Sequence, residues 1–321
     1  MSGLVASYVL VVFLLLTLNF ALPRALPGEP IAALGDPTSS TYVGDPERRA
    51  AVRRYYDLDR SALDGYRRYL RDLARGELGT SIRSNRPVAR ELADRLPWTL
   101  LLVGTALALA TAAGMLAGTH SGWRRERSTD RSLLVLVLSV QSIPVFFLAS
   151  AAVYVFAVQL GWFPLSGART PFDGSSGVAA EIADVAHHLV LPAVVMALPF
   201  VGLQYLVMRA GVVSELGADH LLLGRAKGLS ERTLKYRYAA RNALAPSVTV
   251  AALQVGSAIT AAIFVESVFA YPGVGRLLFE SVADRDYPLM QGSFLVLTLL
   301  VVGANLLADL AYRRLDPRTV A

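Results

Sequence analysis

The sequence predicts an all-α polytopic membrane protein, and three observations predict it. The 321 residues have a mean hydropathy of +0.46 and only 17% are charged, too apolar for an ordinary soluble chain of this length. Six stretches free of Asp, Glu, Lys and Arg, at residues 3–23, 96–123, 132–168, 185–208, 242–265 and 287–308, are each long enough to span a bilayer. A hydrocarbon core takes about 20 residues of helix. Finally, Lys and Arg crowd into alternate connecting segments. Residues 124–131 hold Arg124, Arg125, Arg127 and Arg131, residues 209–241 hold seven, and the tail holds Arg313, Arg314 and Arg318. Residues 159–184 and 266–286 hold only Arg169, Arg276 and Arg285. That bias places the first group in the cytoplasm, and both termini with it.

The net charge of +6 is thus accounted for by topology next to membrane lipid, with no nucleic-acid partner expected. Zero cysteines exclude a disulfide framework and a thiolate metal site. The expected organisation is a first transmembrane helix (1–23), an extracytoplasmic helical insert (24–95), a five-helix core (96–310) containing a cytoplasmic loop (209–247), and a cytoplasmic tail (311–321).

The first apolar stretch is longer than a signal-peptide core, has no preceding Lys or Arg and ends in Ala21-Leu22-Pro23, so a retained helix is expected. Pro recurs too often from Leu22 to Pro30 for helix. From Asp45 to Arg75 an apolar face of Tyr55, Tyr56, Leu58, Leu63, Tyr66, Tyr69, Leu70 and Leu73 predicts a helical cap on the outer ends of the spans, with direct contact to a delivered ligand as the alternative and Asp59 and Ser61 as candidate N-caps. Residues 86–95 read as an amphipathic helix leading into Leu96-Pro97-Trp98.

The second span is rich in small residues, among them Gly104, Gly114 and many Ala, which lets neighbours approach closely and predicts a central helix. The third, placed at 133–158, carries Ser139, Gln141, Ser142 and Pro144, with Pro144 kinking it; a helix-to-helix hydrogen bond and a pore lining both account for these polar groups. His187 and His188 point about 100 degrees apart on a helix, which predicts a solvated interfacial pair rather than a metal site. Pro192 and Pro199 kink or interrupt the fourth span.

The loop from Ser214 to Pro246 reads as two short helices. Residues 214–227 form one, with Ser214 as a cap and Gly228 as its stop; Ser230 caps another that runs to about Leu244. Leu216, Leu221, Leu222, Leu223 and Leu229 are too many leucines for a helix that faces only water, although an ordinary positive-inside loop needs no partner. The fifth span ends in Glu266, an expensive carboxylate at a membrane edge, followed by Phe269, a turn at Pro272-Gly273 and a close approach at Gly275. Candidates for a pathway or gate are Gln141, Ser142, Pro144, Gln204, Gln254, Glu266, Phe269, Pro272, Gly273, Gly275 and Asn305.

The span centres hold no ionisable side chain, unlike many ion-coupled carriers. The only lysines, Lys227 and Lys235, follow Ala226 and Leu234, so the phosphate-binding GxxxxGK[ST] pattern is absent. No HExxH, GxSxG or paired-carboxylate site appears, and no catalytic, cofactor or metal residue is assigned. A transport path without its own energy source requires a partner that supplies one.

Four blocks carry a resemblance. They are Leu26-Pro27-Gly28-Glu29-Pro30; Arg75-Gly76-Glu77-Leu78-Gly79-Thr80-Ser81; Arg225-Ala226-Lys227-Gly228-Leu229-Ser230 with Arg241-Asn242-Ala243-Leu244-Ala245-Pro246; and Glu266-Ser267-Val268-Phe269 through Leu277 with Arg285-Asp286-Tyr287-Pro288. Leu315-Asp316-Pro317-Arg318 fits as well. In order, they span nearly the whole chain and resemble the inner-membrane permeases of ATP-binding-cassette importers, within them the dipeptide, oligopeptide and nickel family. The general importer signature opens Glu-Ala-Ala where this chain has Leu222-Leu223-Gly224.

The resemblance implies six transmembrane helices of the type I importer permease fold and a coupling helix at Leu221, Leu222, Leu223, Gly224, Arg225, Ala226, Lys227, Gly228, Leu229 and Ser230. It also implies two cytoplasmic ATPases holding ATP and Mg, a second permease subunit and an extracytoplasmic substrate-binding protein. Peptide import through alternating access is the expected function, with nickel or another small solute as the alternative cargo. A non-transporting membrane scaffold or receptor subunit is the alternative of another class; co-purification of two ATPases and a sister permease separates it from a transporter.

Overall fold

The computed structural model describes residues 2–25, 47, 62–171 and 177–315. The Leu26–Pro30 block, the stretch 48–61 with Tyr55, Tyr56, Leu58, Asp59 and Ser61, and Asp316 to Arg318 lie outside the described residues. Helices dominate, and the described residues contain no strand beyond the isolated bridge between Thr80 and Pro87.

Helix α1 (Ser2–Ala25) carries the apolar run Ser7–Ala21. It continues through Pro23 to Ala25, where a break had been expected; Pro23 lacks the N–H that would bond back to the Asn19 carbonyl, and the helix runs only two residues beyond it. Helix α2 (Ala62–Ala74) follows, then α3 (Val88–Trp123), in which the amphipathic start and the second span are one helix with Pro97 inside it. Helices α4 (Ser128–Gln141) and α5 (Val145–Ala152, extended by a π-helical run Val153–Gln159) replace the single kinked helix expected at 133–158. They are bent by 95°. Pro144 sits at the N-cap of α5 with φ −58° and ψ 138°, an extended conformation that ends one helix and begins the next.

Helix α6 (Val178–Glu215) stays continuous through Pro192 and Pro199. Helix α7 (Asp219–Ala226) and the composite α8 (Glu231–Thr233, a π-helical run Leu234–Ala239, Ala240–Asn242) form the loop. Helices α9 (Leu244–Val268), α10 (Val274–Ala283) and α11 (Tyr287–Leu315) complete the described chain. Among the described residues four helices are long and apolar enough to cross a membrane: α3, α6, α9 and the Tyr287–Ala308 part of α11; the bent α4/α5 pair is a fifth candidate.

Packing divides the chain into two units. The first comprises Met1–Trp98 and Pro272–Val302. There two tyrosines of the expected apolar face of α2 dock on α1, whereas Leu63 of that face is exposed: Tyr66 OH lies 2.7 Å from Thr17 Oγ1, Asn19 Nδ2 donates to Tyr69 OH at 3.1 Å, and the Phe20 ring packs on both tyrosines. Burial pushes the Tyr69 phenol pKa up. Asn19 also donates to the Gln291 carbonyl at 2.9 Å. Asp286 caps α11 through Leu289 N–H at 3.1 Å and ties down the 79–87 turn by accepting from Ser81 Oγ at 2.6 Å and Arg83 N–H at 3.0 Å.

The second unit comprises Thr99–Tyr271 and Gly303–Ala321. Its seam is the α3/α6 contact. Gly114, Gly118 and Gly122 recur every four residues, and a Cβ on them would lie 2.5 Å from Gln204 Cβ, 2.6 Å from the Tyr205 carbonyl and 2.8 Å from the Arg209 carbonyl. Backbone thus meets backbone along three turns, as the small residues of the second span predict. Helix α9 also packs along α6. There the Gln204 and Gln254 amides meet at 3.1 Å, and Gln254 Nε2 donates to the Phe200 carbonyl.

Candidate functional site

The loop between α6 and α9 begins later than expected. Ser214 is no cap: it lies inside α6 and donates to the Gly211 carbonyl at 2.7 Å, a local bond that leaves α6 intact to Glu215. Helix α7 starts at Asp219 behind Ala218, whose extended backbone makes no side-chain cap. Asp219 in the first turn and Arg225 in the last complement the helix dipole. The stop is as read: Gly228 has φ +76° with open space around its missing Cβ, so glycine is demanded by the backbone alone. Its N–H donates to the Arg225 carbonyl at 2.9 Å, and Leu229 N–H to the Gly224 carbonyl at 3.1 Å. Ser230 Oγ accepts from Thr233 N–H at 3.3 Å and so caps α8.

The leucines of α7 divide by face. Leu221 has no exposed surface and packs with Met208 and Val212 of α6, Leu234, Ala239 and Ala240 of α8, and Ala243. Met115 and Trp123 of α3 close over that cluster together with Leu229. Gly224 leaves room for Leu234, whose Cδ2 would lie 2.6 Å from a Cβ there. Leu222 and Leu223, by contrast, are 55% and 57% exposed. Arg225, Ala226 and Lys227 also face out, with the Arg225 guanidinium 5.9 Å from the Trp123 ring centroid. The loop is pinned at its far end by Asn242 Nδ2, which donates to Glu215 Oε2 at 2.9 Å, and by Lys235 Nζ, 3.1 Å from His120 Nδ1. What results is a short helix held rigidly from behind, presenting two leucines and a basic end.

The pathway candidates do not form one cluster. Gln141 and Ser142 are exposed at the α4/α5 break beside Pro144, and the Gln141 side chain fills the notch at Gly202 of α6. Ser142 Oγ donates to the Ser139 carbonyl at 2.7 Å. Gln204 and Gln254 are buried between α6 and α9 as a helix-to-helix tie. Glu266 is fully buried and accepts from Thr99 Oγ1 at 2.7 Å, while burial beside it raises the Tyr271 pKa. Phe269 is buried, and its carbonyl takes the Gly167 N–H at 2.9 Å. Pro272 and Gly273 lead into α10 with Gly275 buried in its first turn, and Asn305 is half-buried on α11. The expected solvated histidine pair is only half so: His187 Nε2 meets the Trp162 carbonyl at 3.0 Å on the surface, but His188 is buried, with Nδ1 2.9 Å from the Asp184 carbonyl.

One feature of the sequence went unread. Asp130 and Arg209 flank apolar runs far apart in the sequence, and the fold brings them together as an ion pair in which Asp130 is buried and Arg209 partly so. The available signal was a pair of acidic residues, Glu126 and Asp130, in a turn that also holds four arginines.

The model of the binding-protein-dependent transport system inner membrane component matches residues 110–321, which include the whole loop. The chain belongs to this family of importer permeases. Among its permease relatives, a Brucella ovis protein named, provisionally, a peptide permease is 36% identical over 98% of this chain and 95% of its own. The dipeptide transport system permease protein DppB of Alkalihalophilus pseudofirmus is 32% identical over 94% and 92%. The glutathione transport system permease protein GsiC of Escherichia coli K12 is 33% identical over 95% and 93%. The permease is therefore a membrane transport subunit, and the loop geometry described above lies within the part that the family model covers.

Proposed function

We propose that this permease is one of two membrane subunits of an ATP-driven importer for di- or oligopeptides, and that α7 is its coupling helix. On this reading the chain has six transmembrane helices of the type I fold, both termini and the 209–247 loop in the cytoplasm, and a helical insert within residues 24–95 outside. Two cytoplasmic ATPases bind ATP and Mg, a sister permease completes the path, and an external binding protein delivers cargo. Closure of the ATPases moves α7, and the spans rock to open the path alternately to each side. The peptide cargo is supported by the names of relatives that match over nearly their whole length.

The single observation that carries the reading is the exposure of Leu222 and Leu223 on a helix anchored from behind by fully buried Leu221. A hydrophobic pair on a rigid, polar-rimmed platform is what a groove in a partner protein takes up. The test is to place Asp at both positions. Membrane insertion should be unchanged, whereas ATPase subunits should no longer co-purify and uptake of a radiolabelled dipeptide should cease. Full uptake by the Leu222→Asp, Leu223→Asp variant refutes the assignment, and co-purification of a cytoplasmic protein without any ATP-driven uptake would favour a docking scaffold.

A further inference from the structure

Asp130, at the start of α4, is 2% exposed. Its carboxylate accepts two parallel bonds from Arg209 of α6, Nε to Oδ1 and Nη2 to Oδ2, both at 2.7 Å. Glu126 N–H donates to Oδ2 at 2.9 Å, and Ser121 Oγ of α3 donates to Oδ1. Ser121 is itself fully buried and lies 2.6 Å from the hydroxyl of fully buried Tyr205 on α6. One carboxylate thereby joins the ends of α3, α4 and α6. A buried ion pair is weak evidence for stability, since apolar side chains of similar size often serve as well. What the forked guanidinium adds is a fixed angle between the elements that it joins.

The position of the pair gives that fixed angle a use. Met208 and Val212, on either side of Arg209 along α6, belong to the core that seats Leu221 and Leu234 of the loop. At the other end of α4, Gln141 fills the notch at Gly202, so α4 is held on α6 at both ends. Past Gln141 the chain bends by 95° into α5. A continuous packed path runs from α7 through the end of α6 and the Asp130–Arg209 pair to the break at Gln141 to Pro144.

We infer that Asp130 and Arg209 are positioning residues that clamp α4 to the loop-bearing end of α6, so that displacement of α7 is delivered to the broken α4/α5 segment. This inference rests on the reading of α7 as the coupling helix. The clamp acts through the helices that it joins, making the loop and α4 a single moving body.

The experiment uses the assembled complex, with both ATPases, the sister permease and the binding protein, in proteoliposomes. The absence of cysteine in this chain permits spin labels at Leu136→Cys on α4 and Tyr238→Cys on α8, both exposed. With the clamp intact, the label distance should be one narrow peak, unchanged by vanadate-trapped nucleotide. Asp130→Asn and Arg209→Gln should broaden or shift it, and should lower radiolabelled dipeptide uptake per ATP about ten-fold with hydrolysis within about two-fold of the parent, inside the roughly 5–150-fold span of coupling between sites. Arg209→Lys, which keeps the charge and loses the fork, should recover part of the ratio. The pair Asp130→Leu with Arg209→Met removes both charges and guards against simple misfolding; it should insert and hydrolyse ATP yet stay uncoupled. An unchanged label distance in the single variants, or full coupling in the apolar pair, overturns the clamp. Failure of the parent complex to hydrolyse ATP at all instead overturns the reading of the loop on which the clamp depends.

Discussion

Leu221 has no exposed surface while Leu222 and Leu223 expose more than half of theirs, so identical substitutions at three consecutive positions separate folding from docking. Leu221→Ala empties a packed site and should lower stability by about 2–5 kcal/mol, read as a fall in the melting temperature of the purified permease. Leu222→Ala and Leu223→Ala should each change stability by less than about 0.5 kcal/mol and weaken ATPase co-purification instead. Gly228 gives a third signature. Its φ of +76° with open space around it means that Gly228→Ala is penalised by backbone conformation alone, about 1–2 kcal/mol, and accelerated proteolysis at the α7/α8 turn would register it. Glycine and serine punctuation made this turn legible in the sequence, because Gly228 and Ser230 act through local backbone geometry. The division among the leucines was not legible: successive residues on a helix point about 100 degrees apart, and which direction is inward depends on α6 and α3, more than a hundred residues away at Met115.

The α3/α6 seam shows the same distinction for whole helices. A small-residue pattern announced a closely packed second span, and the structure spends it on Gly114, Gly118 and Gly122 against the α6 backbone. Gly118→Leu would drive a side chain into the Tyr205 carbonyl and Met208, neither of which can retreat without moving α6. The overpacking penalty should exceed the usual ~1–3 kcal/mol, and little folded permease should survive detergent extraction. A Cβ on Gly104 of the same helix would meet nothing within 4 Å, and the position is exposed, so Gly104→Leu is the matched control, expected to yield normal amounts. Where the sequence misjudged elements, the cause was a residue compatible with two outcomes. Pro144 fits a kink as well as a full break, and Pro97, Pro192 and Pro199 fit a helix end as well as a continuous helix. Ser214 fits a cap, yet bonds backward to Gly211.

The order of these helices bears on how many times the chain crosses the membrane, because a 95° bend makes α4/α5 either a broken crossing or a re-entrant loop. Within the second unit the C-terminal end of α3 lies against the C-terminal end of α6: Gly122 meets the Arg209 carbonyl, and Trp123 closes over the core that seats Leu221. Helices α3 and α6 thus run parallel and end on the same face. If both helices span a bilayer, the chain between them has to return across it, and α4/α5 is the only described apolar segment between them. The charge pattern agrees, since a re-entrant pair would leave one of the two basic segments, 124–131 or 209–241, on the outer side. In a chain without cysteine this can be read directly with a membrane-impermeant maleimide on right-side-out and inside-out vesicles. Arg127→Cys and Lys227→Cys should be labelled only in inside-out vesicles, and Leu165→Cys, 58% exposed in the turn after α5, only in right-side-out ones. Labelling of Leu165→Cys from the same side as Arg127→Cys would make α4/α5 re-entrant and would remove the crossing to which the Asp130–Arg209 clamp is meant to deliver motion.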